Sequence, residues 1–266
     1  MGAIKNFIQQ ELPGIYVYSV MVGNNEVEDE INGFVGRVND QIEHVKAKLA
    51  SDPKLARGFN AVGFSQGGQF LRGYVEMFND PPVYNLVSMG GQHQGVFGIP
   101  ECSAANHTLC ELLRRAVDLG AYRPDVQEWS VQMQYWHDPI REREYASKST
   151  FLAGINNEET FNATYKANML TLSNFAMIQF VNDTVVQPRE SEWFGFYAPG
   201  QDKKIQTMEQ SKIYQQDLIG LQELNDSGRL WQIPCEGDHL DFTDEYFLKV
   251  VISPFLNETF PLSLTN

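Results

Sequence analysis

No stretch of this 266-residue chain comes near the roughly 20 consecutive apolar residues that a bilayer-crossing helix needs, so no membrane span is expected. Positive charge is scarce: 20 Lys and Arg stand against 34 Asp and Glu, a formal charge of −14. A surface of that sign repels phosphate backbones, which excludes nucleic acid as a partner. The acidic residues are spread along the chain, as on an ordinary solvated surface. Internal repeats and low-complexity linkers are missing, so one compact unit over residues 1–266 is expected. Neither a basic n-region nor an apolar h-region follows Met1, so no secretory leader is visible. Cysteine is sparse: Cys102 and Cys110 flank a short polar loop and either bridge or stay reduced, and Cys235 is left over.

What is present reads as a globular chain, with 42% hydrophobic and 12% aromatic residues. Extended runs are expected at Ile15–Val22, 59–64, Val83–Met89, 175–181 and 230–233. They alternate with helices at 1–11, about 27–49, after residue 65 and 244–251. Strands alternating with helices predict an α/β fold, a mostly parallel sheet with helices on both faces. Residues from about 92 to 174 interrupt the alternation with Leu, Tyr, Trp and Phe, as a helical cap insertion laid over the strand ends would. Insertions there build the substrate cleft of such folds.

Gly63-Phe64-Ser65-Gln66-Gly67 closes one of those strands and opens a helix. G-x-S-x-G arises by chance in on the order of one chain in ten of this length, so its context matters more than its letters. In strand–turn–helix context it is a nucleophile elbow, with Gly63 and Gly67 expected where a Cβ would strike a neighbour. The Gln66 backbone N–H then faces the developing oxyanion. An elbow serine needs a base and an orienting acid, in the chain order Ser, Asp, His. Asp183 lies just past the strand 175–181. Of the five histidines, His44 is mid-helix, His107 lies in a sequon, and His93 and His137 precede Asp183. His239, in a loop after the last strand, is the base by elimination and position. In these roles Ser65 attacks a carbonyl, His239 takes its proton, and Asp183 holds the imidazole tautomer. Neither a metal nor an organic cofactor is needed.

Longer runs make a resemblance specific: Asn60 to Arg72 (NAVGFSQGGQFLR), Gly90 to Gly98 (GGQHQGVFG), Tyr135 to Ile140 (YWHDPI), Ser191 to Tyr197 (SEWFGFY) and Glu236 to Leu240 (EGDHL). Together they span most of the chain, which resembles the palmitoyl-protein thioesterases, soluble lysosomal enzymes that remove long fatty acyl groups from protein cysteines. The resemblance implies the α/β-hydrolase fold, the same triad of Ser65, Asp183 and His239, and S-acylated proteins or peptides as substrates. It further implies a Cys102–Cys110 disulfide and glycans on Asn162 and Asn182, two of five sequons that also include Asn106, Asn225 and Asn257. Members of that family begin with a signal peptide, a first strand and an HGMGDS loop whose Met supplies a second oxyanion-hole donor. None of these precedes Met1-Gly2-Ala3 here, so the resemblance implies an N-terminally incomplete chain with its first strand absent. Two alternatives accompany it, an acyl-CoA or lipid esterase with the same triad and an inactive acyl-binding form.

Overall fold

Strands β1 (Phe59–Phe64), β2 (Val83–Met89) and β3 (Asn174–Phe180) lie side by side and parallel. After a short antiparallel ribbon, β4 (Phe196–Tyr197) with β5 (Ile205–Gln206), strand β6 (Leu230–Cys235) adds to β3, giving the order β1-β2-β3-β6. The computed structural model describes residues 1–98, 114 and 116–257. Residues of β3 alternate between two cores: Phe175 and Met177 enter one, Ala176, Ile178 and Phe180 the other. That is the two-residue period of an extended chain, and burial on both faces is why the strand reads as a continuous apolar run. The first core lies under α3 (Val38–Ser51), α4 (Gln66–Met77) and the cap. The second lies under α1 (Gly2–Glu11) and the C-terminal helix. The mostly parallel α/β arrangement is the expected one.

Three local expectations are corrected. Residues 15–22 join no ladder. Beside them β1 is the sheet edge, and an apolar groove of 350 Å³ lined by Ile4, Ile8, Tyr16, Val20 and Val62 separates the two segments. A strand is defined by its partner as much as by its pattern, and here the partner is out of reach. The helix expected over 27–49 is two, α2 (Glu26–Asn32) and α3. Tertiary bonds hold the break open: Gly36 N–H donates to Trp129 O at 2.9 Å and Val131 N–H to Phe34 O at 3.1 Å. Gly36 adopts φ +114°, which favours glycine. The C-terminal helix begins at Asp244 as expected but runs past Val251 to Leu256, its last turns widened around Pro254.

Between β2 and β3 the cap contributes short helices at Pro124–Trp129, Val131–Gln134, Glu142–Lys148, Leu152–Ile155 and Ala163–Met169. The cap is fastened to α4 by a buried polar row. Arg72, fully buried, donates to Glu76 Oε1 at 2.8 Å, to Asn156 Oδ1 at 2.8 Å and to the His93 carbonyl at 3.1 Å. Burial pushes the Glu76 carboxyl up to about 7 even against the pull of Arg72. Removing either partner would strand a buried charge, so this row fixes the cap where the elbow helix puts it.

Candidate active site

Strand register decides where the chemistry collects. Phe64 pairs with Met89, Met89 with Ile178, and Ile178 with Ile233, so the carboxyl ends of all four strands lie along one edge. Ser65 follows β1 directly, while Asp183 and His239 stand in the loops after β3 and β6. Three positions far apart in sequence thus meet where ligands sit in open α/β sheets.

Ser65 adopts φ 52° and ψ −127°, a backbone state costing about 1–3 kcal/mol for a non-glycine residue. Its N–H donates to the Met89 carbonyl at 2.8 Å, tying the bend to the neighbouring strand. The half-buried hydroxyl lies 2.9 Å from His239 Nε2. His239 Nδ1 lies 2.5 Å from Asp183 Oδ2. The other oxygen of Asp183 accepts the N–H groups of Val185 and Val186, at 2.7 and 2.8 Å. Burial alone would raise the Asp183 carboxyl. The hydrogen bond and charge of His239 and the hydrogen bond from the Val186 N–H outweigh it and hold the group below the ordinary carboxylate value. Asp183 therefore stays ionised to lower pH than an ordinary carboxyl does. Gln66 opens α4, so its N–H has no acceptor within the helix, and its side chain donates to the Gly33 carbonyl at 3.1 Å.

The glycines around the bend divide differently from expectation. A Cβ on Gly63 would stand 2.4 Å from the Gly67 carbonyl oxygen, whereas one on Gly67 would meet nothing within 4 Å. The second crowded glycine is Gly68, where a Cβ would stand 2.1 Å from Ser88 Oγ on β2. A spacing rule sees only the letters of the elbow, while the clash depends on which turn of α4 leans on the next strand. Gly63→Ala is expected to lower stability by about 2–3 kcal/mol in urea unfolding. Gly67→Ala, inside a helix with open space, is expected to raise it by up to about 1 kcal/mol. Equal effects at the two positions would contradict this reading.

Two supporting groups were not singled out from the sequence. Asp238 Oδ1 accepts the His239 N–H at 2.7 Å and the Thr184 N–H at 2.9 Å, latching the histidine loop to the aspartate loop. Both latch residues are chain neighbours of Asp183 or His239, a signal that was there to read. Glu192, buried against Asp183, is no chain neighbour of either residue, and its only signal was its place in the run Ser191 to Tyr197. Ser65 bonds to His239 instead of either earlier histidine: His93 stacks on Phe194, and His137 stacks between Tyr145 and Phe196. Cys235 is buried with a free thiol in the second core, below the histidine loop. Asn162 is half-buried and its side chain caps the helix Ala163–Met169, whereas Asn182 is exposed beside Asp183. Cys102 and Cys110 lie outside the described residues.

A proton path from a strained hydroxyl through an imidazole to a buried carboxylate is the apparatus of acyl transfer, and on this sheet it marks the serine-dependent α/β hydrolases. Within that class the match is narrower. Residues 1–239 match the family described as palmitoyl protein thioesterase, and the chain belongs to that family of hydrolases. It is 44% identical over 255 residues to Palmitoyl-protein thioesterase 1 of Caenorhabditis elegans, covering 96% of this chain and 85% of that protein. Palmitoyl-protein thioesterase 3 of Dictyostelium discoideum is 34% identical over 256 residues, covering 96% and 85%. Lysosomal thioesterase PPT2 of Homo sapiens is 30% identical over 186 residues, covering 69% and 60%.

Proposed function

We propose that this chain hydrolyses long-chain fatty acyl thioesters, of the palmitoyl class, on cysteines of lipid-modified proteins. The observation that carries the reading is the continuous Ser65–His239–Asp183 relay, 2.9 and 2.5 Å per link, in a member of this family. Ser65 Oγ attacks the thioester carbonyl as His239 Nε2 removes its proton, and the Gln66 N–H receives the oxyanion. Collapse breaks the C–S bond, and His239 returns the proton to the departing cysteine thiolate. Water, deprotonated by the same imidazole, then releases the fatty acid from acyl-Ser65. Thiolate leaves readily, so acid assistance matters less here than for an amide. Substrate choice falls instead on burial of the acyl chain, about 0.8 kcal/mol per methylene.

A panel running from octanoyl to palmitoyl, as cysteine thioesters, CoA thioesters and oxygen esters, tests this. Expected is a kcat/KM that rises by up to about fourfold per added methylene and favours the peptide thioester. A preference for CoA or oxygen esters would overturn it in favour of an esterase of another substrate. Labelling of Ser65 by a fluorophosphonate separates both from an inactive acyl-binding form. The same reading puts the chain in the lysosome, the compartment named in the human relative, with Asn162 and Asn182 glycosylated and Cys102 bridged to Cys110. An endoglycosidase mobility shift that Asn182→Gln fails to reduce would remove that glycan.

A further inference from the structure

Glu192 sits in the single-turn helix Arg189–Trp193, and its side chain, in a residue only 1% exposed, lies against Asp183. One oxygen each of Asp183 and Glu192 and one ring nitrogen of His239 lie within 4.8 Å of one another. Glu192 Oε2 accepts the Phe180 N–H at 2.9 Å, at the very end of β3. Oε1 is buried and, among the described residues, meets no N–H or other donor. Among the described residues no Lys or Arg forms an ion pair with either carboxyl; the charge partner of Asp183 is His239. Two ionised carboxylates so placed would repel, and an ionised oxygen without a donor would lose its hydration uncompensated. A proton on the Glu192 carboxyl removes both costs at once, because its O–H becomes the donor, Asp183 the acceptor, and neither Glu192 oxygen is left ionised. Burial first, and the neighbouring Asp183 second, push the Glu192 carboxyl up to about 10. The other titratable groups facing it are Glu190 on its own turn, His239, and the Cys235 thiol at the end of β6.

We propose that Glu192 works as a neutral carboxylic acid whose O–H···O bond to Asp183 positions the orienting carboxylate, a role that rests on the relay assigned above. With Val185 and Val186 on one oxygen and His239 on the other, Asp183 then has a further donor that brings no net charge. A cation in that place would weaken the attraction of Asp183 for the imidazolium, and an anion would set a second negative charge beside Asp183. A neutral donor fixes the geometry and leaves the charge balance of the relay alone.

Glu192→Gln is the conservative test, since the amide N–H replaces the acid O–H and its oxygen still accepts from Phe180. We expect kcat/KM within about threefold of wild type and an unmoved acid limb of the pH profile. An ionised Glu192 would be an anion lost, and the acid limb would drop by about one pH unit or more, overturning the proposal. Glu192→Leu removes the donor, and kcat is expected to fall about tenfold or more at unchanged KM. A leucine variant with wild-type kcat would equally overturn it. Should that variant fail to fold, the infrared difference between wild type and Glu192→Gln decides. The carbonyl stretch of a protonated acid, present at neutral pH in wild type and absent in the variant, supports the proposal, and its absence from wild type sinks it. This readout needs no turnover, so a chain that shows the acid band but cleaves no thioester fails the functional reading alone.

Discussion

Ser65→Ala is expected to lower thioester turnover by about 10⁴-fold or more, with the fold intact. The size follows from what the hydroxyl does. On the proposed mechanism it is the atom that forms the acyl-enzyme, and without it hydrolysis must proceed by direct attack of water under whatever stabilisation the Gln66 N–H and the cleft still offer. The fold survives because the side chain's hydrogen bond is the one to His239, and alanine occupies the strained bend no worse than serine does. Single-turnover kinetics with a chromogenic thioester check both points, since the acyl burst and fluorophosphonate labelling should vanish together. Turnover within tenfold of wild type would show that Ser65 is not the nucleophile.

Asp183→Asn comes next, at about 10⁴-fold in kcat with KM little changed. The two backbone N–H groups of Val185 and Val186 must still be met by an oxygen, which turns the amide nitrogen towards His239. Nδ1 must then accept rather than donate. The ring proton moves to Nε2, and the atom facing Ser65 becomes a donor with no lone pair to receive the hydroxyl proton. Volume, packing and most of the hydrogen bonding survive, so the thermal midpoint should shift far less than the rate. A loss in kcat of under tenfold would mean that the imidazole is oriented by something other than Asp183. Nitrogen-15 chemical shifts of His239, which report the tautomer directly, would show whether the ring proton has moved as expected.

Much of the sheet was legible: the runs at 59–64 and Val83–Met89 have the bounds found in the structure, and β2 and β3 are buried on both faces. The three residues that chain order selected stand within hydrogen-bond reach, because each follows a strand end and the parallel register aligns those ends. Other features were closed to a local reading. Ile15–Val22 has the composition of a strand, yet pairing depends on a neighbour at ladder distance. The helical period over 27–49 hides the break at Gly33–Arg37, which contacts from Trp129, Val131 and Gln66 maintain. Gly68 rather than Gly67 is the crowded position because of Ser88, a residue on a different strand. Glu192 falls in the run Ser191 to Tyr197, but nothing along that run marks it as buried against another acid.

Periodicity and local chemistry thus determine, from the chain alone, the elements, the bend at Ser65 and the chemical class of the side chains brought to the sheet edge. These are properties of a residue and its near neighbours. Distance and solvent belong to the folded molecule. Only packing decides that a hydroxyl, an imidazole and a carboxylate from positions 65, 239 and 183 share protons, or that a glutamate is shut away from water beside another acid. The protonation state of a carboxyl depends on what surrounds it in space, and no pattern along the chain records that.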